Sequence, residues 1–493
     1  MNERWAANLA ELEGRTAASR AMGGAERLER QRAAGKLNAR ERAAALFDRG
    51  IYHEIGALAG ESGAAADGLI AAYGPIDGRP VLAGIEDVTV LGGSIGDAGA
   101  DKRYRLTQLA KQERVPLVFM LEGAGHRLTN THAGRRPNDL QGLAELSGLV
   151  PMVCLVLGAS AGHGALTAPL SDFVAMTEKA SLFVAGPPIV KAAIGEVVTK
   201  DALGGPQVHA ASGVAHNVVA DDAAAIALAR RYLSYFPANA WTAPPTGPSD
   251  DRAGRLDNIL DLIDPDPRRP FDMRVLLAEL ADRDSLLEVQ PAYGASLVTA
   301  LARLGGRAVG IVANNPAVGA GAIDAGAAQK AARFMEVADA FHLPLVFLTD
   351  NPGVLPGTAA EKAGALRHAA RMFAVQHRLR VPKLHVTLRK AFGFGSSLMA
   401  MNPFDNQTIS LAFPAVSLGA MPAGAGAVAA KLNDEQRARA EAEQAGGAYA
   451  IAAKLGFDEV IDPRELRNAL LGGLKLASVR GGALGPRAGG ILP

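Results

Sequence analysis

The chain contains an internal repeat, which constrains its fold more than any other feature of the sequence. The segment 115–125 (VPLVFMLEGAG) aligns without gaps to the segment 343–353 (LPLVFLTDNPG), an offset of 228 residues. The other matched pairs, in chain order, are Gly92–Gly96 with Ala320–Asp324, Lys102 with Lys330, Val150–Pro151 with Val381–Pro382, and Gly162 with Gly393. Order and spacing are kept throughout, so the repeat indicates two copies of one structural unit.

Each copy presents a Gly-rich loop, an amphipathic helix, a short apolar strand and a Gly-rich turn, followed by a further helix and strand. Apolar side chains recur at helical spacing over about 101–113 and 329–341, which predicts a helix in each copy. Thr358 and Glu361 fit a capping box that would begin the next helix of the second copy. This alternation of strands and helices predicts an α/β fold with parallel sheets and right-handed crossovers.

A Pro-rich segment separates the two copies. Between Phe236 and Pro270 the chain gains seven prolines among Asp and Arg residues, a composition typical of linkers. We therefore predict an N-terminal domain over residues 1–245, a linker over 246–270 and a C-terminal domain over 271–493.

Charge and cysteine content exclude several classes of function. Lys and Arg number 51 against 50 Asp and Glu, without a sustained basic stripe, so we expect no nucleic-acid partner. The single cysteine, Cys154, lies in an apolar run and is expected to be a buried core thiol in a reducing, cytoplasmic compartment. No His/Cys cluster provides a zinc site. No segment fits a signal peptide or the ~20 apolar residues of a membrane helix, so we expect no membrane partner.

Four Gly-rich turns follow the predicted strands, at 123–126, 158–164, 350–353 and 392–396. Glycine lets the backbone approach a ligand closely, and two N–H groups in such a turn can stabilise an oxyanion. His126 and His163 lie in the two turns of the first copy, where either could be a general base or a hydrogen-bond donor. The turns also allow a competing interpretation as an acyl hydrolase, because Gly158–Gly162 (GASAG) fits the nucleophile motif G-x-S-x-G around Ser160.

The chain resembles the carboxyltransferase (β) subunits of biotin-dependent acyl-CoA carboxylases, such as propionyl-CoA and methylcrotonyl-CoA carboxylases. Ordered motifs along almost the whole chain support this resemblance: GKLNARER (35–42), GGSIG (92–96), AGPPIVK (185–191), SGVAH (212–216), DPRRPFD (266–272), PGVLPGT (352–358) and RKAFG (389–393). Each motif alone is weak, but together and in order they are specific.

The resemblance implies a tandem of two crotonase-like (ββα superhelix) domains, which accounts for the internal repeat. It also implies a hexamer, of one chain or of mixed β subunits, with active sites at dimer interfaces. The implied reaction moves a carboxyl group from carboxybiotin to the α-carbon, or vinylogous carbon, of an acyl-CoA. The chain lacks the Met-Lys-Met biotinylation signature, so a biotin carboxylase/biotin carboxyl carrier α subunit is the implied partner. Biotin itself can then take the α-proton.

The resemblance assigns site residues by position. The thioester enolate hole falls on Ala124 and Gly125, and the biotin ureido hole falls on Phe394 and Gly395, with Gly393 beside them. The remaining implied substrate-binding residues are Gly123, His126, Ala161, Gly162, His163 and Ser397, of which Ala161 and Gly162 would line the CoA end and Ser397 would lie near the acyl chain.

The chain departs from the usual family pattern at both holes. Family members commonly have Ser-Gly-Gly-Ala-Arg where this chain has GAGHR (123–127), and Tyr-Gly-Gly-Ala-Tyr where it has FGFGS (392–396). The added histidines favour an alternative, a biotin-independent acyl-CoA decarboxylase. The shifted glycines favour another, a non-catalytic paralogue that assembles with an active β subunit.

Overall fold

The structure is a computed structural model that describes residues 3–60, 64–127, 138–249, 254–480 and 483–493. The chain divides into two compact units. The first contains Met1–Thr242 with Ala488–Ile491 and Pro493, and the second contains Ala243–Arg487 with Leu492.

The first unit is an α/β unit with nine strands and ten helices among its described residues. The strands are β1 His53–Ile55, β2 Leu69–Ile76, β3 Arg79–Glu86, β4 Leu117–Leu121, β5 Met152–Val156, β6 Ala159–Ala161, β7 Phe173–Thr177, β8 Ser181–Phe183 and β9 Asn217–Val219. The helices are α1 Glu3–Arg20, α2 Ala25–Ala33, α3 Ala39–Leu46, α4 Asp97–Glu113, α5 Asp139–Leu146, α6 Thr167–Leu170, α7 Pro187–Ile194, α8 Lys200–Gly204, α9 Pro206–Ser212 and α10 Asp222–Leu233.

The second unit has eight strands and ten helices among its described residues. The strands are β10 Leu287–Val289, β11 Leu297–Leu304, β12 Arg307–Asn314, β13 Leu345–Asn351, β14 Lys383–Phe392, β15 Gln407–Ala412, β16 Ser417–Gly419 and β17 Glu459–Val460. The helices are α11 Ile259–Leu262, α12 Met273–Leu280, α13 Ala325–Ala340, α14 Thr358–Lys362, α15 Ala365–His377, α16 Gly393–Leu398, α17 Ala423–Ala429, α18 Asp434–Ala445, α19 Gly447–Ala452 and α20 Leu466–Ala477.

The two main sheets have the same topology. Their strand orders are β1-β2-β3-β4-β5-β7-β9 and β10-β11-β12-β13-β14-β15-β17. In each sheet the first three strands are antiparallel and the later ones are parallel. The internal repeat is therefore a repeat of structure, as the sequence predicts.

The sheets are parallel, as predicted, from β3 and β12 onward, but the strands at the start of each unit are antiparallel. Asp77 and Gly78 join β2 to β3, and Gly305 and Gly306 join β11 to β12. All four residues have positive φ, between 49° and 78°. Two-residue turns of this kind close antiparallel hairpins because their twist matches that of the flanking strands.

The predicted helices are present, but their buried faces differ partly from expectation. In α13 the apolar residues Ala332, Phe334, Val337 and Ala338 are all buried. In α4, by contrast, the buried face includes the charged residues Lys102 and Arg103 beside Leu106 and Ala110. Hydrogen bonds to buried partners offset the cost of removing those charges from water.

The predicted capping box is wrong. Helix α14 begins at Thr358, and the cap position belongs to Gly357, whose φ is +120°. Because Thr358 is already helical, its side chain caps nothing there.

Each unit has an apolar core around its central strands. In the first unit every residue of β4 and β5 is buried, including the free thiol of Cys154, as expected. Burial raises the pKa of that thiol. In the second unit the core extends into the Pro-rich segment, where Leu256, Ile259 and Ile263 pack against it. The predicted domain limits stay predictions. Within the described residues, no helix is long and apolar enough to cross a membrane.

Candidate active site

Two turns at the ends of adjacent parallel strands form the candidate site of the first unit. The first turn, residues 122–127, follows β4, and the second turn, residues 157–164, follows β5 and contains β6. Gly125 has φ +80°, and a Cβ placed on it would lie 2.6 Å from the Ala161 carbonyl oxygen. Only glycine allows the two turns to approach this closely.

The two predicted enolate donors differ in the structure. The Ala124 N–H donates to the Gly92 carbonyl at 3.1 Å, so the chain itself already uses that donor. The Gly125 N–H has no hydrogen-bond partner among the described residues, while its carbonyl accepts the Ile95 N–H at 2.8 Å. Of the two, only Gly125 therefore offers an unused N–H group.

The second turn binds the first through its backbone. The Ala161 N–H donates to the Gly123 carbonyl at 3.3 Å, and the Gly162 N–H donates to Phe183 at 3.0 Å. These predicted substrate-binding residues thus hold the turns together. Gly164, which aligns with Gly395 at the offset of 231, begins a 3₁₀ turn. Its N–H finds no acceptor in the described part of the chain, and it is a donor that the sequence did not suggest.

The structure brings His126 and His163 together. Their rings lie edge to face, with centroids 4.5 Å apart and an interplanar angle of 64°. His163 Nε2 is hydrogen-bonded to Asp139 Oδ1 at 2.5 Å, and Arg103 Nε donates to Asp139 Oδ2 at 2.6 Å. Asp139 was not predicted as a site residue. It lies outside both turns in the sequence. Its position at the start of α5, directly after the cap residue Asn138, indicates only a structural role.

Buried charges hold this cluster in place. Arg103 also donates to Glu86 Oε1 at 3.2 Å and to Thr167 Oγ1 at 2.6 Å, and Glu86 Oε2 accepts the Glu122 N–H at 2.7 Å. Burial alone would raise the pKa of Asp139, but hydrogen bonds from His163 and the charge of Arg103 lower it overall. Burial raises the pKa of Glu86. Burial, and then the neighbouring His163, lower the pKa of His126.

The N-terminal motif 35–42 is attached to the first turn through Glu122. Lys36 Nζ donates to Glu122 Oε1, and Arg42 Nη2 donates to Glu122 Oε2 at 2.5 Å. Arg42 Nε also donates to Asp222 Oδ2 at 2.9 Å. The motif that supports the family resemblance therefore positions the strand end from which the turn begins.

The hydrolase interpretation is wrong. Ser160 is buried within β6, not exposed at a strand-to-helix turn, and its hydroxyl has no hydrogen-bond partner in the structure. The hydrogen-bonded pair of His163 and Asp139 does not include it. A serine without a base has no means of activation as a nucleophile.

An apolar cavity of about 590 Å³ opens beside the second turn. Its lining is mostly apolar and includes Phe183, Ile189, Val190 and Ala193, together with His209. Val184, at its edge, is 91% exposed. A cavity with such walls suits an uncharged ligand segment.

The predicted biotin-side residues lie at the start of helix α16 in the second unit. Phe394 and Gly395 are in its first turn, so their N–H groups have no acceptor within the helix. A Cβ on Gly395 would lie 2.7 Å from Asn351 Oδ1, so glycine allows the helix start to pack on the preceding turn. The Phe394 side chain is 54% exposed, and Ser397, one turn further, is partly exposed.

The two units build their turns alike. Ile323 donates to the Gly353 carbonyl at 3.1 Å, as Ile95 does to Gly125. The Asp350 N–H donates to Asn314 Oδ1 at 3.1 Å, as that of Glu122 does to Glu86. The Gly353 N–H, however, donates to Asn351 Oδ1 at 2.9 Å and is not free.

Comparisons with known proteins agree with this architecture. The family model of the carboxyl transferase domain matches residues 30–479. A biotin-dependent acetyl-/propionyl-coenzyme A carboxylase beta5 subunit from Mycobacterium leprae is 36% identical, covering 99% of this chain and 95% of its own. A methylmalonyl-CoA decarboxylase subunit alpha from Veillonella parvula is 33% identical, covering 96% of each chain.

A solved structure is similarly close. The crystal structure of transcarboxylase 12S, a hexamer with methylmalonyl-CoA and methylmalonic acid bound, superposes with a TM-score of 0.91 at 34% identity. The match covers 100% of this chain and 99% of the other. The predicted resemblance and the tandem crotonase-like fold are confirmed, and this chain belongs to the carboxyl transferase family.

Proposed function

We propose that the protein is an acyl-CoA carboxyltransferase subunit that moves a carboxyl group from carboxybiotin to the α-carbon, or vinylogous carbon, of an acyl-CoA. The observation that supports this most directly is the unused N–H of Gly125, held between two glycine turns at the ends of parallel strands. Ligands of open α/β sheets bind at such strand ends. The name of the Mycobacterium leprae relative adds support, because it is that of a biotin-dependent carboxylase subunit.

The chemistry requires a way to hold negative charge on the thioester oxygen. Removing the α-proton of an acyl-CoA places that charge on the carbonyl oxygen, and a fixed backbone N–H stabilises it without reorganisation. Gly125 supplies one donor, and Gly164 is the second donor that we propose in place of Ala124. The Ala124 N–H stays with Gly92 and supports the turn.

The second unit would hold the carboxyl donor. Carboxybiotin, delivered on a separate carrier protein, supplies the carboxyl group. The ureido oxygen of biotin would accept from the orphan first-turn N–H groups of Phe394 and Gly395, which would stabilise negative charge on that oxygen. Gly393 begins the same helix turn, and the exposed Phe394 ring offers an apolar surface beside it.

The acyl-CoA would occupy the first unit. Gly162 lines the apolar cavity and Ala161 directly precedes it in the chain, and this cavity suits the acyl chain or the pantetheine arm. Ser397 would lie near the acyl group.

Partners follow from the same proposal. The chain would work with a biotin carboxylase/biotin carboxyl carrier subunit and assemble as a hexamer, as transcarboxylase 12S does. The cytoplasmic location expected from the single cysteine stays a prediction.

A second candidate is acyl-CoA decarboxylation. One relative is named a methylmalonyl-CoA decarboxylase subunit, and the paired histidines add proton-transfer groups beside Gly125. Decarboxylation would use the same enolate hole and return a proton to the α-carbon.

One assay separates the candidates. The purified chain is incubated with carboxylated acyl-CoAs, with and without free biotin, and the decarboxylated acyl-CoA is measured by mass. Product that requires biotin supports carboxyl transfer and identifies the acyl group. Product without biotin supports the decarboxylase. No product, together with no thioester binding and co-purification with another carboxyltransferase, would favour the non-catalytic paralogue.

A further inference from the structure

His126 and His163 form a pair on the two turns of the first unit. His126 directly follows Gly125, and His163 directly follows Gly162, whose backbone faces Gly125 across the two turns. The turns need neither imidazole for their own structure, because backbone hydrogen bonds already join them. The pair therefore calls for a chemical explanation.

The hydrogen bond to Asp139 gives His163 a defined orientation. Asp139 accepts from Arg103 through its other oxygen, so its carboxylate is fixed from both sides. A carboxylate at Nε2 holds the proton of a neutral imidazole on that nitrogen and leaves Nδ1 as the acceptor. His163 can therefore take a hydrogen bond, or share a proton, from a ring at its edge.

His126 is the ring at that edge. It is exposed, it lies 4.5 Å from His163 between ring centroids, and its nitrogens make no hydrogen bond among the described residues. Partial burial and the neighbouring His163 lower its pKa, which favours the neutral ring that can accept a proton. The Asp139 carboxylate behind His163 stabilises the positive charge that the pair would gain.

We propose that His126 is a proton-transfer residue for the acyl-CoA α-carbon, with His163 and Asp139 as positioning residues. This inference rests on the proposed function, because it places the thioester oxygen at the Gly125 N–H. In the step, the α C–H bond breaks and an N–H bond forms on His126. The electron pair of the C–H bond becomes the enolate, and the charge on oxygen is held by the backbone donors.

The proposal has a consequence that separates it from proton removal by biotin. If His126 takes the proton, the enolate forms without any biotin, and the imidazolium exchanges its proton with water. The α-hydrogens of a bound acyl-CoA then exchange with solvent in the absence of biotin. If biotin is the only base, no such exchange occurs until biotin is added.

The experiment measures α-deuteration of propionyl-CoA in D₂O by mass spectrometry, without biotin. It uses the full chain and compares wild type with His126→Ala, His126→Gln and the control His53→Ala, an exposed histidine on β1 outside the site. We expect exchange in wild type and in His53→Ala, and a roughly hundredfold loss in both His126 variants at unchanged thioester affinity. Because His126 is exposed, its replacement should leave the fold intact, which circular dichroism checks.

The positioning role has its own readout. The charged groups that face His126 are His163, Asp139 and Arg103. Replacing His163 with Asn removes a neighbour that lowers the pKa of His126, so the acid limb of the exchange rate against pH should move to higher pH. A merely structural role would lower the rate without moving that limb, and this result would overturn the positioning role.

Carboxyl transfer from methylmalonyl-CoA to free biotin, measured on the same samples, keeps the two proposals apart. Transfer in wild type with exchange only in the presence of biotin would overturn the role of His126 and leave the proposed function standing. Biotin-free exchange that depends on His126, without transfer, would support the role and reject carboxyl transfer. Exchange at the wild-type rate in His126→Ala would also overturn the proton-transfer role of His126.

Discussion

Arg42 Nη2 donates to Glu122 Oε2 at 2.5 Å, and both side chains are buried. This ion pair joins the N-terminal motif to the strand end from which the first turn begins. Lys36 pairs with the other oxygen of the same carboxylate. The same buried ion pair therefore supports both the stability of the first unit and the position of its first turn.

Replacing Arg42 with Met should destabilise the protein strongly. It leaves the Glu122 and Asp222 carboxylates buried with one cation fewer, and removing one partner of a buried pair costs about 3–5 kcal/mol. Urea unfolding of the full chain measures the change. The matched control is Arg15→Met, which breaks an exposed pair with Glu11 and should change the free energy of unfolding by less than about 1 kcal/mol. Equal effects of the two variants would contradict the prediction.

Removing the Phe394 N–H should impair carboxyl transfer. Phe394 lies in the first turn of α16, where proline is tolerated, so Phe394→Pro deletes the donor while the helix can still form. Phe394→Ala is the control, because it removes the same ring and keeps the N–H. Loss of one oxyanion donor costs about a hundredfold or more in rate. Equal transfer rates in the two variants would reject this N–H as a donor.

A methyl group at Gly125 should separate the two turns of the first unit. In Gly125→Ala the Cβ would meet the Ala161 carbonyl at 2.6 Å, and φ of +80° would be strained as well. Gly78→Ala is the control, since Gly78 has φ +73° with no atom within 4 Å of a Cβ. Both variants should lose about 1 kcal/mol from backbone strain. Only Gly125→Ala should also lose transfer activity, by about a hundredfold, in the biotin-dependent assay.

Filling the apolar cavity should weaken acyl-CoA binding. Ala193 lies in its wall on an exposed face of α7, so Ala193→Phe should reduce the space without disturbing the core. If the ligand loses the burial of two methylenes at about 0.8 kcal/mol each, affinity falls by roughly tenfold. Calorimetric titration with acyl-CoA measures this fall. An unchanged Kd would place the ligand outside the cavity.

Acid should destabilise the second unit through His385. This side chain is fully buried in β14, and burial lowers its pKa to about 4. In the unfolded chain the pKa of His385 is its ordinary value of about 6.5. The neutral ring therefore contributes its full stability above pH 6.5, and this contribution is lost as the pH falls from 6.5 toward 4. Over that range the loss is about 3 kcal/mol. His385→Gln should flatten this part of the stability profile, measured by urea unfolding at several pH values. Parallel profiles would contradict the prediction.

Several features could be read directly from the sequence. The repeat at 115–125 and 343–353 predicted two equivalent α/β units, because similar local patterns form similar strands and turns. The Asp77–Gly78 dipeptide is an Asp-Gly turn signal, and the antiparallel hairpin of β2 and β3 could have been predicted from it.

Other features depended on contacts between distant parts of the chain. Asp139 joins His163 across 24 residues, and the Ala124 N–H is used by Gly92 across 32. No local pattern reports such partners, since a carboxylate or an N–H group looks the same in the sequence whether it is free or engaged.

The sequence by itself determined which residues follow the strands and therefore which backbone positions could be oxyanion donors. Only the tertiary structure decided which of those donors are unused and which side chains surround them. The physical reason is that strands and turns arise from short-range preferences, whereas a free N–H and a paired histidine result from the packing of separate turns against each other.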